Sequence, residues 1–88
     1  MGKIPEETLE RSRIEREQRN AYSGGDMEKV RVAIVDKNLC PVVQKWIIRD
    51  KNIELIELMA NVGFKMTSAL QRFYRNNATS EMKQVYTL

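Results

Sequence analysis

Apolar side chains in this sequence recur mostly at helical spacing. Val42, Val43, Trp46 and Ile47 stand at i, i+1, i+4 and i+5, and Pro41 suits the first position of the helix they predict. Ile53, Ile56, Met59 and Ala60 continue an apolar face, widened by Leu55, Leu58 and Val62. A stripe this wide implies burial on more than one side. Asp50-Lys51-Asn52 reads either as a short break with Asn52 as cap or as a polar turn within one longer helix. Gly63 is placed to end the second stretch in the left-handed conformation that glycine enters cheaply.

Thr67 or Ser68 caps a further helix with Ala69, Leu70, Phe73 and Tyr74 toward the core, and Asn76-Asn77 stops it. Ser80 starts a last short helix through Lys83 and Val85. The segment 27–39 is ambiguous. Val30, Val32 and Ile34 alternate as in a strand, yet Met27, Val30, Ala33 and Ile34 share a helical face. No second strand candidate of similar quality exists to pair with it, so a helix is preferred. The minority reading is a ribbon formed between two copies.

Residues 5–20 are charge-laced and helical in pattern. Pro5 suits a first helical position, and Glu7/Arg11 and Glu15/Arg19 are i,i+4 pairs. Only Leu9 and Ile14 are apolar between residues 6 and 20, which makes no continuous stripe. Gly24-Gly25 forms a joint, and Asp26 can cap the next helix. The predicted organisation is a charged N-terminal helical arm with its Gly-Gly linker (1–25) and a helical core with a basic C-terminal part (26–88). The fold class is all-α, a small helical bundle containing a helix-turn-helix-like pair. No internal repeat is evident.

Composition narrows the chemistry. The 88 residues contain no histidine and one cysteine, Cys40. The commonest general base and metal ligand is therefore missing, and neither an internal disulfide nor a thiolate metal site can form. No phosphate-binding glycine loop or serine elbow occurs. A non-enzymatic protein without metal or cofactor is expected. Cys40, between Leu39 and Pro41, reads as a small buried hydrophobe, and an unpaired cysteine fits a reducing, cytoplasmic setting. No apolar run approaches the length of a membrane span, so no membrane partner is expected.

Charge is uneven. Residues 1–25 and 26–62 are balanced, whereas 63–88 hold Lys65, Arg72, Arg75 and Lys83 against Glu81 alone, which accounts for the whole formal charge of +3. Leu58 to Phe73 has the outline of a helix-turn-helix: a glycine-ended helix, Phe64 as plug, a capping pair, then a second helix. The compact motif would bury positions 69 and 72, whereas the apolar residues here are Leu70 and Phe73, so the turn needs one extra residue. On this reading Lys65, Ser68, Gln71, Arg72, Arg75, Asn76 and Lys83 face duplex DNA, with arginine, glutamine and asparagine suited to base edges. The first functional expectation is a small regulatory DNA-binding protein, dimeric like many of its size. The alternative is an adaptor or inhibitor that homodimerises or docks on a larger protein. Its interface would be the apolar face at Trp46, Ile47, Ile48, Leu55 and Leu58, which a core this small need not cover.

Overall fold

The turns determine the fold. The structure is a computed structural model that describes residues 6–88, with side chains from Arg11 onward. Pro5, Leu9 and the Glu7/Arg11 pair lie outside the described residues or side chains. Six helices succeed one another: α1 (Glu6–Gly24), α2 (Met27–Val35), α3 (Pro41–Arg49), α4 (Ile53–Asn61), α5 (Ser68–Asn77) and α6 (Ser80–Val85). The all-α class holds, and 27–35 is helix.

Four of the five junctions use one device. At the end of α1 the N–H of Gly25 donates to the Tyr22 carbonyl and that of Asp26 to the Ala21 carbonyl. The same two bonds recur at Lys37 and Asn38, at Lys51 and Asn52, and at Gly63 and Phe64. Each satisfies carbonyls that a helix end leaves bare, and each needs one residue at positive φ. Those residues are Gly25 (84°), Lys37 (59°), Lys51 (54°) and Gly63 (70°). Asp26 and Asn52 then act at once as caps for the next helix, accepting from the N–H groups of Lys29 and Leu55. Thr79 caps α6 in the same way, accepting from Met82.

The caps Asp26, Asn52 and Thr79 lie 26 and then 27 residues apart. The chain is thus three successive helix pairs, a repeat that the side chains conceal. Packing follows the repeat in the first two pairs, whereas α5 and α6 do not pack helix on helix. Helices α1, α3 and α5 stack in one layer and α2, α4 and α6 in another, with α1 against α2 and α3 against α4. The result is a short helical solenoid, in which each pair buries its apolar side mainly against the next.

The core runs between the layers. Val30, Ile34, Val43, Ile47, Ile48, Leu55, Ile56, Met59, Tyr74 and Met82 are all but inaccessible. Within α3, Val43 and Ile47 are buried as the spacing predicts and Trp46 is half-buried, but Val42 is exposed and Ile48 is buried in its place. Ala69 is likewise exposed, while Leu70 and Tyr74 are buried and Phe73 is half-buried. The last pair is closed by tyrosines. The Tyr74 hydroxyl lies 2.7 Å from the Met82 carbonyl oxygen and 2.8 Å from that of Tyr86, donating to both, and the Tyr86 hydroxyl donates to the Phe64 carbonyl. The charged first helix also joins the core, since Ala21 and Gln18 are buried where α1 meets α2 and α3. No described helix is long and apolar enough to cross a membrane.

Candidate interaction face

A line of glutamines ties the first layer to the loops. The Gln18 amide donates to the Asn38 carbonyl at 3.0 Å, and its carbonyl accepts from the Cys40 N–H at 2.7 Å. Gln44, 26 residues later, donates to the Leu39 carbonyl at 2.7 Å. Gln71, a further 27 on, donates to the Met66 carbonyl at 2.9 Å. The 36–40 loop is therefore clasped from α1 and α3 together. The 62–67 loop is one residue longer. It is clasped from α5 alone, and the Oε1 of buried Gln44 has no hydrogen-bond partner.

This arrangement corrects one expected site residue. Gln71 is half-buried and its amide holds a loop, so it is not presented to a duplex. Lys65, Ser68, Arg72, Arg75, Asn76 and Lys83 are all exposed. The ion pairs among the described residues are Arg31–Glu54 at 3.6 Å and Arg49–Asp50 at 2.9 Å, so none of these cations is paired with a carboxylate. They do not form one patch, however. Arg72 borders the groove between α3 and α5, while Arg75 and Lys83 border a separate depression beside Tyr86 and Leu88.

The helix pair around Gly63 has the expected turn but different packing. Helix α5 sits on α3, and α4 sits on α2 and α6; α4 and α5 do not pack on each other. A recognition helix is normally seated on its partner helix, and here that support is missing. Six residues separate α4 from α5 and let the chain cross from one layer to the other.

The apolar interface set is corrected by burial. Ile47, Ile48 and Leu55 lie wholly within the chain's own core, so they offer nothing to a partner. Leu58 is half-buried against that core. Trp46 is half-buried too, and its ring meets chain-internal neighbours: the Tyr22 ring at 6.0 Å and the Arg49 guanidinium at 5.8 Å. The Tyr22 hydroxyl donates to Asp50 at 2.7 Å. Burial, helped by the Asp50 charge, pushes the Tyr22 phenol up to about 12. Hydrogen bonds from Arg49 and then Tyr22 hold the Asp50 carboxyl below its ordinary value. Cys40 is buried at the start of α3, and burial raises its thiol, which leaves little thiolate for chemistry.

Among the open grooves of the described residues, those beside α1 are bordered by the carboxylates of Glu15, Glu17, Glu28 and Asp36, whereas another lies between α3 and α5. Pro41, Val42, Ala69, Leu70 and Phe73 make its floor and walls, and Lys45, Arg72 and Asn76 stand at its edge. No carboxylate borders it. Val42 is 38% exposed. The Lys45 ammonium rests 5.2 Å from the Phe73 ring centroid, a cation–π contact worth about 0.5–1 kcal/mol at an exposed site. Sequence reasoning missed both Val42 and Lys45. The signal for Lys45 was its place one repeat before Arg72, legible only once the repeat is known. No known protein family, curated protein or solved structure matches this chain.

Proposed function

We propose that this chain is a protein-interaction module, a three-tier helical stack that presents the outer side of α1, α3 and α5 to another protein. The observation that carries this reading is the α3–α5 groove, with apolar walls, two cations at its edge and no carboxylate. In a stacked-pair architecture each tier completes the core of its neighbour, so the outer side of a layer is not needed for folding and is available for recognition. The burial of Ile47, Ile48 and Leu55 leaves no basis for a dimer through those residues.

A second reading, nucleic-acid binding, is favoured by the exposed, carboxylate-free Lys65, Arg72, Arg75 and Lys83. It lacks the packed helix pair of a helix-turn-helix, and its cations are divided between two depressions. One experiment separates the two. A photo-reactive phenylalanine analogue replaces Val42, and cells expressing the full chain are irradiated. Discrete adducts that resist nuclease and contain a second polypeptide are expected. Adducts that vanish on nuclease treatment would transfer the assignment to nucleic acid, and a lack of any adduct at Val42 would sink the proposed face.

A further inference from the structure

Equivalent positions of the three tiers carry equivalent charge. Arg19, Lys45 and Arg72 each stand seven residues ahead of the cap that opens the next helix, Asp26, Asn52 and Thr79 respectively. All three are exposed, and none is ion-paired with a carboxylate among the described residues. Lys45 and Arg72 share the edge of the α3–α5 groove, and Arg19 holds the equivalent position on α1, which packs on α3. They lie inside their helices, away from the C-terminal turns where the helix dipole would favour a cation. Lys45 rests on the Phe73 ring and Glu15 stands one turn before Arg19, yet no carboxylate among the described residues forms an ion pair with any of the three.

From this row and the groove beside it, we infer that the first layer binds an acidic, extended peptide segment of a partner protein. The inference rests on the interaction-module reading and names the chemistry of its ligand. Helices in contact are spaced about 8–10 Å apart. A polyproline II chain turns once every three residues and advances about 3.1 Å per residue, so carboxylates recurring at every third residue fall on one face at the spacing of the row. Between Lys45 and Arg72 the walls are Val42, Ala69 and Phe73, which accept an apolar side chain rather than a phosphate. The ligand is therefore an acidic segment with a bulky apolar residue between its carboxylates. A phosphodiester backbone supplies the charge but nothing for those walls.

The test is fluorescence anisotropy of the full chain with a labelled synthetic peptide of repeated Glu-Leu-Ser. Two further probes are a peptide of identical composition with its glutamates in one block and a duplex DNA. The repeated peptide should bind more tightly than the block peptide, and binding should weaken as salt rises. Lys45→Glu and Arg72→Glu should each weaken it about tenfold, while Arg72→Glu leaves thermal unfolding unchanged and Lys45→Glu lowers it only by the loss of the Phe73 ring contact. Equal affinity for the two peptides, binding indifferent to both substitutions, or tighter binding of duplex DNA through the same residues would each overturn the inference. A failure of peptide binding together with polypeptide adducts at Val42 would overturn the ligand class and leave the interaction reading standing.

Discussion

The two layers of this stack each carry a row of like charges, and the rows have different causes. In the second layer Glu28, Glu54 and Glu81 stand two residues after the caps Asp26, Asn52 and Thr79. An acid in the first turn of a helix is favoured by the positive end of the dipole, by about 0.3–1 kcal/mol. Glu54 also faces Arg31 at 3.6 Å. That row is a by-product of helix building. In the first layer Arg19, Lys45 and Arg72 stand away from the helix ends, and none is ion-paired with a carboxylate among the described residues. A repeated charge points to a ligand when folding gives no reason for it.

The largest effect should come from the core on which both rows depend. Ile47 is wholly buried in α3, between its neighbours in both layers. Ile47→Ala should cost about 2–5 kcal/mol, as deletion of a buried aliphatic side chain does. Urea unfolding measures it. A cost near zero would break the claim that the stack holds the rows in register.

Next comes the clasp that joins α1 to the other tiers. Gln18→Ala leaves the Cys40 N–H and the Asn38 carbonyl without their side-chain partner. Stranded buried groups cost about 1–3 kcal/mol. Hydrogen exchange at the Cys40 amide should accelerate by a corresponding factor, and binding that needs Arg19 should weaken with it. An unchanged exchange rate would detach α1 from the first-layer face.

Alkaline pH probes the Tyr22–Asp50 contact on the same side of the molecule. The fold raises the Tyr22 phenol to about 12, mainly through burial. An unfolded tyrosine titrates near 10. The native state therefore holds its proton where the unfolded state has lost it, and stability is whole below about pH 10 and falls as pH climbs toward 12. Burial raises Tyr74 and Tyr86 as well, which deepens the loss in the same direction. Tyrosinate absorbance should rise together with the loss of helical circular dichroism, rather than before it. At the acid end Asp50 acts oppositely. Its lowered carboxyl contributes above the unfolded value near 3.9 and ceases to contribute as pH falls through its folded value.

The smallest effects sharpen the comparison most. Glu28→Gln should lower stability by about 0.3–1 kcal/mol through the dipole and leave peptide affinity unchanged. Arg72→Gln should stay within about 0.5 kcal/mol in stability and weaken peptide binding. Thermal melts beside anisotropy titrations read both. The opposite pattern would exchange the meanings of the two rows.

Much of the local structure was legible from single residues. Pro41, Asn52, Gly63 and Thr67 each mark a helix boundary through a backbone requirement that few residue types meet. The repeat was not legible, for a physical reason. Equivalent core positions hold Ala21, Ile47 and Tyr74, or Ala33, Met59 and Tyr86. A side chain at one tier fills what its neighbours leave, so volume is shared across the stack and residue identity is not kept. Lys37 and Lys51 hide the turn further, because two of the four positive-φ positions are not glycine. The features that do recur are polar: three caps, three clasping glutamines, three glutamates and three cations. The exposed cations after Gly63 could be read from charge alone, whereas Lys45 and Arg19 could be joined to them only through the fold.

The most direct test of the cationic row is a charge swap. The double substitution Lys45→Glu, Arg72→Glu should lose the repeated Glu-Leu-Ser peptide and gain the matching Lys-Leu-Ser peptide, with a melting temperature lowered only by loss of the Lys45–Phe73 contact. If the double variant and the parent chain bind both peptides alike, the row is ordinary solvated surface and the account of this face is wrong.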